Sequence, residues 1–255
     1  MRGPIAYQPG ESWLHRLHPL VKLAWLLGGT ALVFLVREAW AVAAAVLLLL
    51  LCFPMAGLQL GRVRGARTFA TTAMLLGLLQ LIFVHSGTTL LQFGSLQISS
   101  GGLSAAVYVA GRFLSVILLS YLFVLTTELN DLAYGLMRAG VPYRYGFALV
   151  TALRLAPAFE REGHIVYKAQ LARGVQYDVR SPRRLVRLAR QFTLPLLVSA
   201  LGKVDALAVS MEGRCFGMHA RRTFLREVRA TWHDGVALVA LLLAGAGAVA
   251  ARLVG

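Results

Sequence analysis

Five long apolar stretches dominate the chain, at residues 20–36, 39–58, 69–85, 103–125 and 235–254. A membrane-spanning helix needs about 20 mostly apolar residues, so each stretch is a candidate span. Only Arg37 and Glu38 separate the first two, which leaves room for a tight turn. The chain is 58% apolar and 15% charged, with a mean hydropathy of +0.67. Soluble domains sit nearer 45–50% apolar and roughly 25% charged. A globule of 255 residues could not bury that excess. The sequence therefore predicts an all-α, polytopic membrane protein with about five transmembrane helices. Residues 192–210 form an alternative sixth span, against which Lys203 and Asp205 in its interior count. A cleaved leader fits the first run poorly. Its basic residues are spread widely ahead of it, and the only Ala-x-Ala nearby opens the second run.

Charge orients these spans. Lys and Arg outnumber Asp and Glu by 26 to 11, a net charge of +15. In a soluble protein that would suggest nucleic acid. In so apolar a chain it indicates cationic cytoplasmic segments in contact with a lipid bilayer, and no nucleic-acid partner. Arg2, Arg16 and Lys22 precede the first span, Arg62, Arg64 and Arg67 lie between the second and third, and 17 of the 26 cations fall within 129–229. Residues 86–101 hold none. The positive-inside bias places the N-terminus and 129–229 in the cytoplasm and 86–101 outside, and five crossings then leave the C-terminus outside. The chain divides into a membrane region at 1–128 with four spans, a cytoplasmic region at 129–229, and a C-terminal transmembrane helix at 230–255. The cytoplasmic region is too long to lack structure of its own. Phe147, Val150, Leu153 and Leu155 recur at helical spacing, Pro142 and Gly174 bracket one helix, and Ser181-Pro182 signals the start of a second. Tyr177 and Asp178 fall in the connector, and Pro157 and Pro195 are expected to kink the two helices. Both read as long amphipathic helices along the cytoplasmic face.

Catalytic and cofactor chemistry find little support. The only Gly-Lys pair, Gly202-Lys203, precedes Val204 and has Leu197 where a P-loop needs glycine. His15 and His18 could share a helix face, but two imidazoles without a third ligand make a weak metal site. Cys52 and Cys215 form no CxxC pair or disulfide framework. The reading is a non-enzyme with no cofactor, no metal and no catalytic residues. Arg112, inside a span, is expected to pair with polar groups of the bundle or to snorkel to the membrane edge, since no acid in the apolar runs defines a proton relay. Gly102, Ala106 and Ala110 make a small-residue packing face. Gly57, Gly61 and Gly65 repeat that spacing, with a membrane-edge turn as the equal alternative.

Two strings stand out in the cytoplasmic region. One runs Ala169, Gln170, Leu171, Ala172, Arg173, Gly174; the other runs Ser210, Met211, Glu212, Gly213, Arg214, Cys215, Phe216, Gly217. Each sets one arginine beside small residues at a predicted helix end, where a partner's backbone can approach and the guanidinium can make several directed hydrogen bonds. From pattern alone these are two solvated arginines among many.

Here the chain resembles the transmembrane coupling (T) component of energy-coupling factor (ECF) transporters, the EcfT/CbiQ-like family. That family carries two Ala-Arg-Gly-type motifs on cytoplasmic coupling helices. The first is intact at Ala172, Arg173 and Gly174; the second reads Gly213, Arg214 and Cys215, with Met211, Glu212 and Phe216 matching. Glycine for alanine and cysteine for glycine are departures. Trp13 to Lys22 is similar to the family's Leu-His-Arg-Leu-Asp-Pro…Lys segment, with His18 in place of the aspartate. Thr126-Thr127, and Leu153 to Pro157, also fit. The resemblance covers nearly the whole chain. It implies a coupling subunit in the plasma membrane that links two ABC-type ATPase subunits to a small membrane-embedded substrate-binding S component. The cargo would be a vitamin or a transition-metal ion such as cobalt or nickel. ATPase coupling would fall to Ala172, Arg173, Gly174, Glu212, Gly213, Arg214 and Cys215. The alternative is a conventional ABC importer permease that forms its own translocation path. A secondary transporter would need acids in its spans, and a membrane enzyme a catalytic cluster.

Overall fold

A computed structural model of the chain describes residues 7–8, 10, 12–36, 38–58, 65–93, 96–175, 181–218 and 231–254. Arg2, Arg37, Gly61, Arg62, Arg64, Tyr177 and Asp178 lie outside the described residues. The element order is α1 (Trp13–Arg16), α2 (Pro19–Leu35), α3 (Ala39–Met55), α4 (Ala66–Phe83), β1 (Thr89–Phe93), β2 (Leu96–Ser99), α5 (Ser100–Thr126), α6 (Leu129–Arg138), α7 (Tyr143–Ala172), α8 (Pro182–Glu212) and α9 (Trp232–Val254). The predicted all-α class holds, apart from one antiparallel hairpin in which Phe93 pairs with Leu96 and Thr89 with Ser99. The hairpin falls in the uncharged 86–101 loop, whose apolar and polar residues alternate with the two-residue period of a strand.

The chain forms two compact units, 1–136 with 228–255, and 137–227. In the first, α5 packs against α2, α3 and α4, and α9 lies along α2. Leu118, Tyr121 and Leu125 of α5 meet Phe53 of α3 and Leu14 of α1 in one buried cluster. The small-residue face of α5 meets α4: a Cβ on Gly77 would stand 3.3 Å from that of Ala110. That closeness lets two helices pack by dispersion where no hydrophobic drive operates. Gly57 and Gly65 are in left-handed conformations and mark a turn. Large apolar side chains face outward instead, among them Leu47, Met55, Met74, Phe83 and Leu242. An apolar exterior with a close-packed interior is what a bilayer solvent favours.

Among the described residues, four helical stretches are long and apolar enough to cross a membrane: Ala66–Phe83, Ser100–Thr126, Leu185–Glu212 and Trp232–Ala250. Pro19–Leu35 and Ala39–Met55 are apolar but shorter. The protein is therefore a multi-pass membrane protein.

Several polar groups inside the first unit find partners, although the buried hydroxyls of Ser115 and Thr127 make no hydrogen bond. Arg112 donates from Nε to the carbonyl of Val33 at 3.2 Å, and from Nη2 to those of Phe34 at 2.9 Å and Val36 at 3.0 Å. These carbonyls belong to the last turn of α2 and its cap, which have no helical partners of their own. Arg112 also donates to the Tyr108 hydroxyl and lies over that ring, 3.7 Å from its centroid. His18 caps α2, its Nδ1 accepting from the Leu20 N–H at 3.2 Å, the task an aspartate performs at that position. The His18 N–H donates to Asp234 Oδ1 at 2.6 Å. His15 Nε2 donates to the Gln8 carbonyl at 3.0 Å while Ser12 Oγ lies 2.7 Å from Nδ1, and burial pushes its pKa down. Both imidazoles thus serve the N-terminal segment, and no group of three or more His, Cys, Asp or Glu suited to a metal occurs among the described residues. Lys22 Nζ donates to the carbonyls of Thr126 at 2.7 Å and His15 at 3.1 Å, fastening that segment to the end of α5.

Candidate functional site

The second unit is built on α7 and α8. Both continue through an internal proline, Pro157 and Pro195. A proline inside a helix supplies no N–H, so the carbonyl four residues earlier loses its helical donor. For Pro195 that carbonyl is Gln191, and it accepts instead from Gln170 Nε2 of α7 at 3.1 Å. Lys203 Nζ of α8 donates to Glu162 Oε2 at 2.7 Å and to Ser199 Oγ at 3.1 Å. The hydrogen bond from Lys203 holds the Glu162 carboxyl below its ordinary range, with Ser199 adding to the effect. Phe147, near the start of α7, packs on Phe216, just beyond the end of α8, with centroids 4.7 Å apart. These three contacts run in opposite order along the two helices, which are therefore antiparallel.

Both predicted motifs fall at helix C-termini and take the same form. At the end of α7, the Val175 N–H donates to the Gln170 carbonyl at 3.1 Å and the Gly174 N–H to that of Leu171 at 2.9 Å. At the end of α8, the Phe216 N–H donates to the Met211 carbonyl at 2.9 Å and the Cys215 N–H to that of Glu212 at 2.9 Å. This paired six-to-one and five-to-two bonding is the Schellman arrangement. It requires a left-handed residue just after the capping residue, and Gly174 at φ 81° and Cys215 at φ 55° supply it. Cys215 is the one non-glycine residue at positive φ among those described. Arg173 and Arg214 occupy equivalent positions, one residue before the left-handed one. Ala172 and Glu212 close the regular helices, and Gly213 occupies the place of Ala172. The replacements of Ala by Gly and Gly by Cys thus leave the turn intact.

Arg173 and Arg214 are both exposed. Because the helices are antiparallel and both arginines sit at C-termini, they lie at opposite ends of the pair. Phe147 of α7 lies level with Phe216, and Arg173 follows Phe147 by 26 residues, so at a rise of about 1.5 Å per residue the two arginines stand roughly 39 Å apart along the pair. The two helix ends thus carry like-built turns, each presenting one exposed arginine.

Tyr143 stacks on Phe147 with centroids 5.8 Å apart and lies 6.2 Å from Phe216. Sequence reasoning named Phe147 only as part of an apolar helical pattern, and found neither Tyr143 nor the link from Gln170 to the carbonyl freed by Pro195. Gln170 and Phe216 stood within the two strings; their partners lie on the other helix, where no local pattern points to them.

Comparison with known proteins bears on this geometry. Residues 10–224 match the CbiQ family, described as cobalt transport protein. A protein from Listeria innocua named energy-coupling factor transporter transmembrane protein EcfT is 30% identical, over 92% of this chain and 92% of its own length. Proteins of the same name from Brevibacillus brevis and Bacillus subtilis are 30% and 29% identical, over 93% and 94% of this chain and equal shares of their own lengths.

Proposed function

The chain belongs to the CbiQ family of transmembrane components of energy-coupling factor transporters, and from that premise we propose that it is the non-catalytic coupling subunit of an ABC-type importer. In this reading ATP is hydrolysed on two separate ATPase subunits. Each subunit receives one arginine-bearing helix end. A membrane-embedded S component binds the cargo, a vitamin or a transition-metal ion.

The observation that carries the reading is the pair of equivalent Schellman ends at opposite ends of α7 and α8. A single docking point would suit one partner. Two copies of one turn, roughly 39 Å apart, suit two similar subunits that move relative to each other. The guanidinium suits such a joint because its planar fork makes bidentate bonds to carboxylates or carbonyls. The turn beneath it is closed by backbone bonds, so a displaced arginine pulls on the whole helix. ATP-driven closure of the ATPase pair would thereby reach α7 and α8, and through them the S component.

Charge supports a cytoplasmic placement of both ends in the plasma membrane. Arg180, Arg183, Arg184, Arg187 and Arg190 cluster at the start of α8, and Arg214, Arg221, Arg222, Arg226 and Arg229 follow its end. A helix crossing the bilayer once would carry one of these clusters to the outside, against the positive-inside bias. The apolar stretch of α8 is thus read as lying along the membrane or against a partner.

Co-isolation tests this reading. A tagged chain expressed with the ATPase subunits from its own genome should retain both. Arg173→Ala and Arg214→Ala together should release them. Undiminished retention of both subunits by the double variant would refute the proposal.

A further inference from the structure

Arg173 and Arg214 stand on the same turn, but the two turns are held differently. Gly174 adopts its left-handed conformation without steric cost, whereas Cys215 at φ 55° sets its Cβ against the backbone. Left to itself, the end of α8 would favour a frayed conformation over the Schellman turn. Yet both its bonds are made, at 2.9 Å from the Phe216 N–H to Met211 and 2.9 Å from the Cys215 N–H to Glu212. Something outside the turn must hold it.

The residue after Cys215 supplies that hold. The Phe216 ring lies 4.7 Å from that of Phe147 and 6.2 Å from that of Tyr143, and those two rings stack at 5.8 Å. Three aromatic rings thus join the last turn beyond α8 to the first turn of α7. Ring pairs at such separations add stabilisation beyond the apolar area they bury. Phe216 is also the residue whose N–H closes the outer bond of the turn, so fixing its ring fixes that bond. The start of α7 is itself held, since Met137 packs onto Gly146 so closely that a side chain there would have no room.

We propose that Phe216, packed against the stacked rings of Phe147 and Tyr143, is the positioning residue for Arg214: it holds the strained Cys215 turn closed and so presents the arginine. The inference rests on the coupling role of Arg214 and adds what makes that end competent. It also makes the two ends unequal. The Arg173 end relies on a glycine, and the Arg214 end on an aromatic clamp reaching the neighbouring helix.

Two readouts on the full complex test it. The first is the rate of tryptic cleavage after Arg214, followed by mass spectrometry, with cleavage after Arg173 as internal reference. Phe216→Ala should speed cleavage after Arg214 at least fivefold and leave cleavage after Arg173 unchanged, while Phe216→Tyr should match the wild type. The second is retention of the ATPase subunits through a salt wash. Phe216→Ala should lose as much as Arg214→Ala, and combining the two should lose no more. Cys215→Gly added to Phe216→Ala should recover at least half of that loss, because glycine removes the strain the clamp opposes. Unchanged cleavage after Arg214 in Phe216→Ala would overturn the clamp. Additive losses, or no recovery with Cys215→Gly, would overturn its positioning role. If cleavage responds as expected while Arg214→Ala itself retains the ATPases, the coupling role of Arg214 fails, and with it the clamp's part in presenting that arginine.

Discussion

Gln170 Nε2 lies 3.1 Å from the carbonyl oxygen of Gln191, the acceptor that Pro195 leaves without a helical donor. Gln170 also provides the backbone carbonyl that closes the turn bearing Arg173. One residue therefore serves the turn and ties it to the neighbouring helix. Gln170→Leu should leave the Gln191 carbonyl unpaired at a cost of about 1–3 kcal/mol. Pro195→Ala restores the helical N–H and should make Gln170→Leu nearly neutral. Thermal melts of the four proteins of this double-mutant cycle in detergent check the coupling; additive effects would contradict it.

Arg112 is expected to be structural. Arg112→Leu strips the donors from the Val33 and Phe34 carbonyls at the end of α2, while Val36 keeps the Tyr108 hydroxyl, and should cost about 3 kcal/mol. The melting temperature would then fall by roughly 5–10 °C. Arg112→Lys keeps the charge but loses the fork, and should fall between. Folded Arg112→Leu protein should still retain its ATPase subunits; selective loss of the partners without a change in melting would point to a functional role.

The pair of Lys203 and Glu162 predicts a pH response of definite sign. A carboxyl held below its ordinary range by a lysine stabilises the folded state fully above the unfolded glutamate value of about 4.3, and loses that contribution as pH falls through the lowered value. The difference in melting between wild type and Glu162→Gln should therefore be flat from about pH 6 to 8 and shrink below about pH 4. The pair is partly exposed, so the difference should be small. A difference that changes across the neutral range would assign the effect to another group.

Cysteine labelling checks the orientation. In a background lacking Cys52 and Cys215, an impermeant maleimide applied to intact cells should label a cysteine at Ser86 and spare one at Arg190. The reverse pattern would invert the topology.

The fold was legible where chemistry is local. The apolar runs behind α2, α3, α4, α5 and α9 announce themselves because a bilayer demands unbroken hydrophobic length. The helix end at Gly174 followed from turn chemistry and the start at Pro182 from proline at the first helical position, although the Ser181 side chain makes no capping bond. The β1–β2 hairpin did not, because a short loop is read poorly beside strong spans. α8 is ambiguous by nature: it is apolar enough to cross, yet flanked by arginines at both ends. The helices run continuously through Pro157 and Pro195, with Gln170 satisfying the carbonyl freed by the second. At the site, the arginines stood out only through the family resemblance, since two exposed arginines in a basic segment are unremarkable by pattern. The equivalence of the two turns required the backbone, because nothing in the sequence announces a left-handed cysteine.

The central claim is that Arg173 and Arg214 transmit the work of the ATPases. Its most direct measurement is ATP-dependent uptake by cells or vesicles carrying the complete complex, with Arg173→Ala/Arg214→Ala set against Arg161→Ala/Arg190→Ala. All four arginines are exposed, and each pair takes one residue from the α7 side and one from the α8 side, so the charge change is matched. Truncating an anchoring arginine can cost about 2 kcal/mol or more at an interface. The first pair should abolish uptake while the protein remains in the membrane, and the second should leave uptake near normal. Equal, near-normal uptake by both would contradict the account.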